Sequence, residues 1–381
     1  VNNNFIKWDF AGLWYQGITT MSFAKPKGFD EITSPCILSE DKILKGPPVG
    51  VYMGRILPIS SRTNFLASEP KDVTIFITFP DSFFIETAYG LESILRSLGY
   101  TRFVLGPLQL ERYREESNQP GRQVLQIVLG GHRPGILTRF YVIFHTENLF
   151  EPFIHLDRYK TIVQQAAAVL VYSHSHLKFF QSIGRFNGIF IVPMYTRSVY
   201  FSHLTTGSVH KAYKQWPMND VMMAMSNSPR RDKFVDEFVA NSTKDNISVI
   251  TKLHIDDINF YDIYTREFLA VHSKIVVNVH QYEDSALESH RINNMLSLGK
   301  CVISERSRSD PLLDAEYEQM GAILFVDRLE DVYEVVKRLL ADEEERQTLE
   351  ALAIEKYWSI QNDTHMMQHV MQYLNLPTMS L

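Results

Sequence analysis

Short apolar runs alternate with segments of helical period from residue 71 onward. VTIFITF (73–79), RFVLG (102–106), QVLQIVLGG (123–131), RFYVIFHTEN (139–148), AAVLVYS (167–173) and GIFIVPMY (188–195) are rich in β-branched and aromatic residues and predict strands. FIETAYGLESILRSLGY (84–100), stopped by Gly99, then TIVQQAAA (161–168) and HLKFFQSIG (176–184) predict helices between them. Continuous apolar strands separated by helices imply a parallel sheet covered on both faces. The alternation lapses over TRSVYFSHLTTGSVHKAYKQWPMND (196–220), which reads as a linker, and then restarts. VMMAMS, ISVI, KIVVNV, KCVIS and AILFV predict a second set of strands. Helices are expected at RRDKFVDEFVAN, IYTREFLAV, SALESHRINNMLSLG and LEDVYEVVKRLLA.

The predicted fold is therefore α/β, with two doubly wound, Rossmann-like domains, over 71–200 and 215–345, facing a central cleft. Ligands are expected at the carboxyl ends of their strands. Residues 1–70 hold many turn formers (KPKGFD, GPPVG) and no sustained period, and read as an irregular extension with a short hairpin around VGVYMGRIL. The tail, 346–381, has helical spacing and no strand partner.

Composition narrows the function classes. A chain of 381 residues exceeds what one core usually serves. The net charge of -6 gives no global basic field, so nucleic acid is not an expected partner. Cys36 and Cys301 suggest neither a disulfide framework nor a cysteine zinc site. No run of about 18 apolar residues and no basic-then-apolar leader is present, so a cytoplasmic protein without a transmembrane segment is expected. Because it opens on Val1, the chain is expected to be either a trimmed sequence or a piece of a longer polypeptide with further domains.

Three polar clusters fall at predicted strand ends. In NVHQYEDSALESHRINN, Ser285 and Glu288 have the spacing of a capping box, whereas a carboxylate entering a helix beside a cleft can also bind a ribose. His280, His290, Glu283 and Asp284 are metal-ligand types, but no HExxH or D-x-D spacing accompanies them, and no metal is expected. In SNSPRRDKF, Asn227 or Ser228 can cap a helix with Pro229 in its first turn. Arg230 and Arg231 then lie at the positive end of the helix dipole, a conflict that a bound diphosphate would relieve. The alternative leaves one arginine solvated and the other paired with Asp232 or Asp236. In FHTENLF, His145, Glu147 and Asn148 can bind sugar hydroxyls, with His145 or Glu147 as general base, or can cap a turn. Gly130, Gly131 and Gly135 allow close backbone approach to a ligand but do not make the dinucleotide fingerprint.

The order of ENLF, VYSHSHLKFF with IVPMY, SNSPRRDKF and the segment Asn278 to Glu305 resembles GT-B glycosyltransferases, especially the group-1 and CgeB-like branches. The resemblance spans about residues 130–345 and implies a nucleotide-diphosphate sugar bound by the second domain. It further implies a glycan or other hydroxyl acceptor on the first domain, and a metal-independent, retaining transfer without a cofactor. By position, Arg230 and Arg231, with Asn227 and Ser228, are then diphosphate contacts. Tyr282, Glu283, Asp284, Ser285, Glu288, Arg291, Asn294, Ser304 and Glu305 are nucleotide or sugar contacts. Gly131, His132, Asn148 and His174 lie on the acceptor side, and the tail helices cross back to the first domain. The chain departs from the retaining branch, which has two glutamates eight positions apart, since the matching positions are Ala286 and Asn294. Glu288 with Asn293 or Asn294 would substitute. A sugar-nucleotide epimerase of the same fold and a nonenzymatic two-lobed ligand-binding protein are the rival readings.

Overall fold

The computed structural model describes residues 69–79, 84–107, 110–130, 140–184, 186–198, 219–251, 263–319 and 321–378. The expectations placed on residues 1–68, on Gly131, His132 and Gly135, and on most of the linker lie outside them.

The first lobe runs β1 (Val73–Thr78), α1 (Ile85–Ser97), β2 (Arg102–Gly106), α2 (Leu110–Ser117), β3 (Gln123–Leu129), β4 (Tyr141–His145), α3 (Asp157–Gln165), β5 (Ala168–Val171), α4 (His174–Ile183) and β6 (Ile189–Ile191). Its six strands are all parallel, in the order β2-β1-β3-β4-β5-β6. β1, β4 and β5 are buried at every position, so unbroken apolar runs rather than alternation mark strands sandwiched between helices.

The second lobe runs β7 (Asn219–Met223), α5 (Pro229–Lys244), β8 (Val249–Thr251), α6 (Ile263–Val271), β9 (Ser273–Asn278), α7 (Ser289–Ser297), β10 (Cys301–Glu305), α8 (Pro311–Glu318), β11 (Leu324–Val326) and α9 (Val332–Ala341). Its five parallel strands are ordered β11-β10-β9-β7-β8. Val221, Met223, Ile275, Val277 and Ile303 form its core with Phe234 and Phe238 of α5 and Val336 of α9. After α7 the chain reverses at Gly299 (φ +63°), where the Lys300 amide reaches back to the Met295 carbonyl at 3.1 Å; the left-handed turn suits a residue without Cβ.

Both sheets change direction of winding once. In the second, the chain steps outward from β7 to β8 and returns to β9 on the other side. A crevice therefore opens between the carboxyl ends of β7 and β9, the place where doubly wound sheets bind ligands.

Two further helices, α10 (Glu343–Asn362) and α11 (His365–Tyr373), close the chain. α10 leaves the second lobe, packing on α7 and β10, and reaches the first, where Gln361 Nε2 donates to the Gly90 carbonyl at 3.2 Å. The Tyr195 hydroxyl donates to the Asp363 carbonyl at 2.8 Å, and the Tyr373 ring lies 5.1 Å from that of Phe190.

α1 approaches the segment after β6 so closely that a Cβ on Gly90 would lie 2.5 Å from both the Thr196 nitrogen and the Tyr195 carbonyl carbon. Those are backbone atoms and cannot rotate away. Gly90→Ala is therefore expected to destabilise the protein by about 2 kcal/mol or more, read as a fall in the urea midpoint.

Candidate active site

The second lobe's crevice is built by three strand ends. β7 runs out through Met225 into Ser226, β9 ends at the buried Asn278, and β10 ends at Glu305. Ser228 is the N-cap of α5, its Oγ accepting from the Arg231 amide at 3.3 Å, and Pro229 occupies the first turn. The cap turns consecutive arginines toward the neighbouring strand ends.

Arg231 bridges the switch point. Nε donates to the Val279 carbonyl at 2.8 Å, Nη1 to the Ser226 carbonyl and hydroxyl at 3.2 and 2.8 Å, and Nη2 to Glu288 Oε1 at 2.7 Å. With 2 % of its side chain exposed, this guanidinium ties β7, β9 and the entry of α7 together. Burial pulls its pKa down to about 10, so it remains charged at neutral pH. Arg230 is more open, with a quarter of its side chain exposed; it donates to the His280 carbonyl at 2.8 Å and grips both carboxylate oxygens of Glu305. The conflict between two arginines and the helix dipole is thus relieved by Glu288 and Glu305, not by Asp232 or Asp236.

Glu288 is the centre of the cluster. Its Oε2 lies 2.9 Å from His280 Nδ1 and accepts from Asn278 Nδ2 at 3.0 Å, while Arg291 stands 4.0 Å from Oε1. Burial opposes ionisation of the carboxyl, but His280, Arg231 and Arg291 outweigh it and hold its pKa well below the usual carboxylate range. Asn278 also donates to Ser304 Oγ at 3.1 Å and accepts from Arg291 Nη1 at 2.8 Å. The capping-box expectation is corrected here. α7 begins at Ser289, Glu288 is its N-cap without a side-chain capping bond, and its carboxylate is held by the arginine–histidine cluster.

The first lobe meets this crevice directly. Asn148 Nδ2 donates to Ser285 Oγ at 2.6 Å, and the rings of Phe150 and Tyr282 lie 5.5 Å apart. At the start of α4, the Ser175 amide donates to Asp310 Oδ2 at 2.9 Å, and His174 Nε2 lies 3.4 Å from Glu316. The ends of both sheets therefore converge on the stretch 280–288.

Residues 264–375 match the family model described as Glycosyl transferase-like. The matched segment lies within the second lobe and the closing helices of an all-parallel, two-lobed α/β architecture. Among solved structures, this chain is similar to TarM, at 11% identity and a TM-score of 0.46, over 66% of this chain and 55% of that one. It thus spans little more than half the length of TarM. It is also similar to Anabaena Alr3699/HepE in complex with UDP, at 11% identity and a TM-score of 0.48, over 79% of this chain and 99% of that one. A third is WaaG, a glycosyltransferase involved in lipopolysaccharide biosynthesis, at 10% identity and a TM-score of 0.48, with the same coverage. No curated protein matches the chain in sequence.

Several candidate residues lie away from the crevice or inside the packing. His145 is fully buried, with Nδ1 2.6 Å from the Tyr159 hydroxyl and its ring against His176 and Phe180. Burial pushes its pKa down to about 3, only partly offset by the Glu147 backbone, so it is a neutral core residue and not an exposed general base. Glu147, half-buried at the end of β4 with Oε1 facing Gly130, keeps its place at the mouth of the first sheet. Asn294 is corrected as well: it is fully buried and donates to Glu267 Oε1 at 2.8 Å, in a contact shared with Ser198. Asn293 donates to the Met194 carbonyl at 2.6 Å, so both asparagines fasten α7 to its surroundings instead of replacing a missing glutamate. Asn227 and Asp284 are exposed, and Glu283 pairs with Arg308 at the surface. Among the described residues no group of three metal-ligand side chains converges, and no helix is long and apolar enough to cross a membrane.

Proposed function

We propose that this protein transfers a hexosyl or pentosyl group from a nucleotide-diphosphate sugar to a hydroxyl of a glycan or similar acceptor, in the cytoplasm. The observation that carries the reading is the charge at the second sheet's switch point, within a chain whose residues 264–375 match a glycosyl transferase-like family. Arg230, Arg231 and Arg291 face two carboxylates, Glu288 and Glu305. A cluster with excess positive charge beside the amides of a helix start suits a pyrophosphate.

In this reading Arg230, the more exposed arginine, meets the diphosphate, while Arg231 holds Glu288 and the strand ends in place. Leaving-group charge develops on the pyrophosphate, and fixed guanidinium donors stabilise it without a metal or further cofactor. Tyr282 and Ser285 on the loop before α7 face the nucleotide or sugar. Asn148, His174 and Glu147 face the acceptor from the first lobe, with Glu147 placed to take the acceptor's proton. Transfer proceeds with retention, as the family resemblance implies.

Thermal shift against UDP, GDP, dTDP and NAD tests the proposal, since a ligand selective for the folded state stabilises it by about 2.7 kcal/mol at a hundredfold excess over Kd. A shift with at least one nucleoside diphosphate and none with NAD is expected. Arg230→Ala should weaken that nucleotide's binding about tenfold or more, and it should also cost about 3 kcal/mol of stability because the buried Glu305 carboxylate loses its partner. Failure of all three diphosphates to bind would reject the reading, and isomerisation of a donor sugar without acceptor would identify an epimerase.

A further inference from the structure

His280 sits at the middle of the charge cluster, yet sequence spacing marks it only as an unused metal-ligand type. It is fully buried, and three of its polar atoms are tied to the cluster. Its amide donates to Glu305 Oε2 at 3.2 Å, its carbonyl accepts from Arg230 at 2.8 Å, and Nδ1 lies 2.9 Å from Glu288 Oε2. An ionised carboxylate can only accept, so Nδ1 carries a hydrogen in this pair. The remaining ring nitrogen, Nε2, is buried without a hydrogen-bond partner among the described residues. Whether His280 is a cation therefore depends on a proton at Nε2 alone.

We propose that His280 is a positioning residue for the diphosphate site: protonated, it fixes the Glu288 carboxylate that orients Arg231 and Arg291 and supplies the charge that couples diphosphate binding to proton binding. This inference rests on the second lobe being the donor site.

The charges around the ring come from every neighbouring element. Glu288 enters α7, Glu305 ends β10, Asp314 lies on α8, and Arg230 and Arg231 open α5. Burial disfavours the imidazolium, but Glu288 first, then Glu305 and Asp314, outweigh it and raise the pKa above the ordinary imidazole value. Burial pushes the Asp314 carboxyl up from its ordinary value, opposed by its bond from the Ser307 amide. Loss of the Nε2 proton removes one positive charge from a cluster of three arginines and two glutamates, and leaves Glu288 with a weaker hold. A diphosphate entering that cluster favours the protonated ring, so by linkage its affinity falls as the ring loses its proton.

The sign is fixed. Affinity is flat below the pKa of His280 and declines above it by up to tenfold per pH unit, until the ligand-bound pKa is passed. The test takes whichever of UDP, GDP and dTDP binds the full chain most tightly, and measures Kd from pH 7 to 9, where the nucleotide's own phosphates are ionised. Wild type is expected to lose at least fivefold in affinity across the range, with proton uptake when calorimetry is compared in two buffers of different ionisation enthalpy. His280→Gln is expected to bind at least fivefold more weakly at pH 7 and to show a flat profile. Nucleotide binding by the wild type with neither pH dependence nor proton uptake would overturn the role of His280 while leaving the donor site intact, whether or not the variant folds. No binding of any of the three nucleotides at pH 7 would overturn the donor site and this inference with it.

Discussion

Arg231→Met is expected to cost about 3–5 kcal/mol, the range for removing one partner of a buried ion pair. The loss is not the sum of four hydrogen bonds. It comes from Glu288, which stays buried and ionised with its guanidinium partner at 2.7 Å gone, and from the Val279 and Ser226 carbonyls, which lose a shared donor at the switch point. Neutralising the stranded acid should recover part of the loss, so Arg231→Met/Glu288→Gln is expected to be more stable than Arg231→Met alone, a non-additivity that marks direct coupling. Urea unfolding of the two single variants and the double variant measures it. A single variant within about 1 kcal/mol of wild type would show that water reaches the pair and that Arg231 is not the tie between β7 and β9.

That role for Arg231 marks the limit of what the sequence discloses. Apolar runs locate the strands because buried parallel strands have no solvent face to interrupt them: RFVLG is β2 residue for residue, and KIVVNV covers β9 to within a residue at each end. Ser228 and Pro229 announce α5 through cap chemistry that is local in the chain. What stays hidden depends on pairs distant in sequence. Nothing near Arg231 indicates that its counter-ion lies 57 positions later, and the nearby Asp232 and Asp236 look equally available. Ser285 and Glu288 have capping-box spacing, yet the carboxylate follows the stronger field of two arginines and a histidine and leaves the backbone to start α7 without it. α8 is too short to show a sustained helical period, and its only local signal is Asp310 before Pro311, a cap followed by a first-turn proline. His145 illustrates the opposite error: a histidine at a strand end reads as a base, and only the packing of α3 and α4 shows that the ring points into the core.

Lowering the pH from 7 to 5.5 is expected to remove about 3 kcal/mol of stability, well before the carboxylates titrate. His145 and His290 are both buried and pushed down to about 3, and His176 is held well below the ordinary imidazole value by burial and by His145 beside it. All three are neutral in the folded protein over this range, whereas in the unfolded chain they take up protons below about pH 6.5. The unfolded state then binds more protons, so stability falls with falling pH, by up to about 1.4 kcal/mol per unit for each histidine. His280 gives no relief: with a raised pKa it is protonated in both states on the acid side, and its contribution is lost only as pH rises through that value. Glu288 is also silent here, since its contribution disappears only as pH falls through a pKa well below 4.5. The assignment can be separated from general acid sensitivity with His176→Phe. This change keeps a ring beside Tyr172 and His145 while removing Nδ1, which has no partner among the described residues. Urea unfolding at pH 7 and 5.5 should show that variant losing about 1 kcal/mol less than wild type over the same interval. Equal losses in both proteins would place the titration elsewhere, and a wild type equally stable at both pH values would mean these rings already exchange protons with solvent in the folded state.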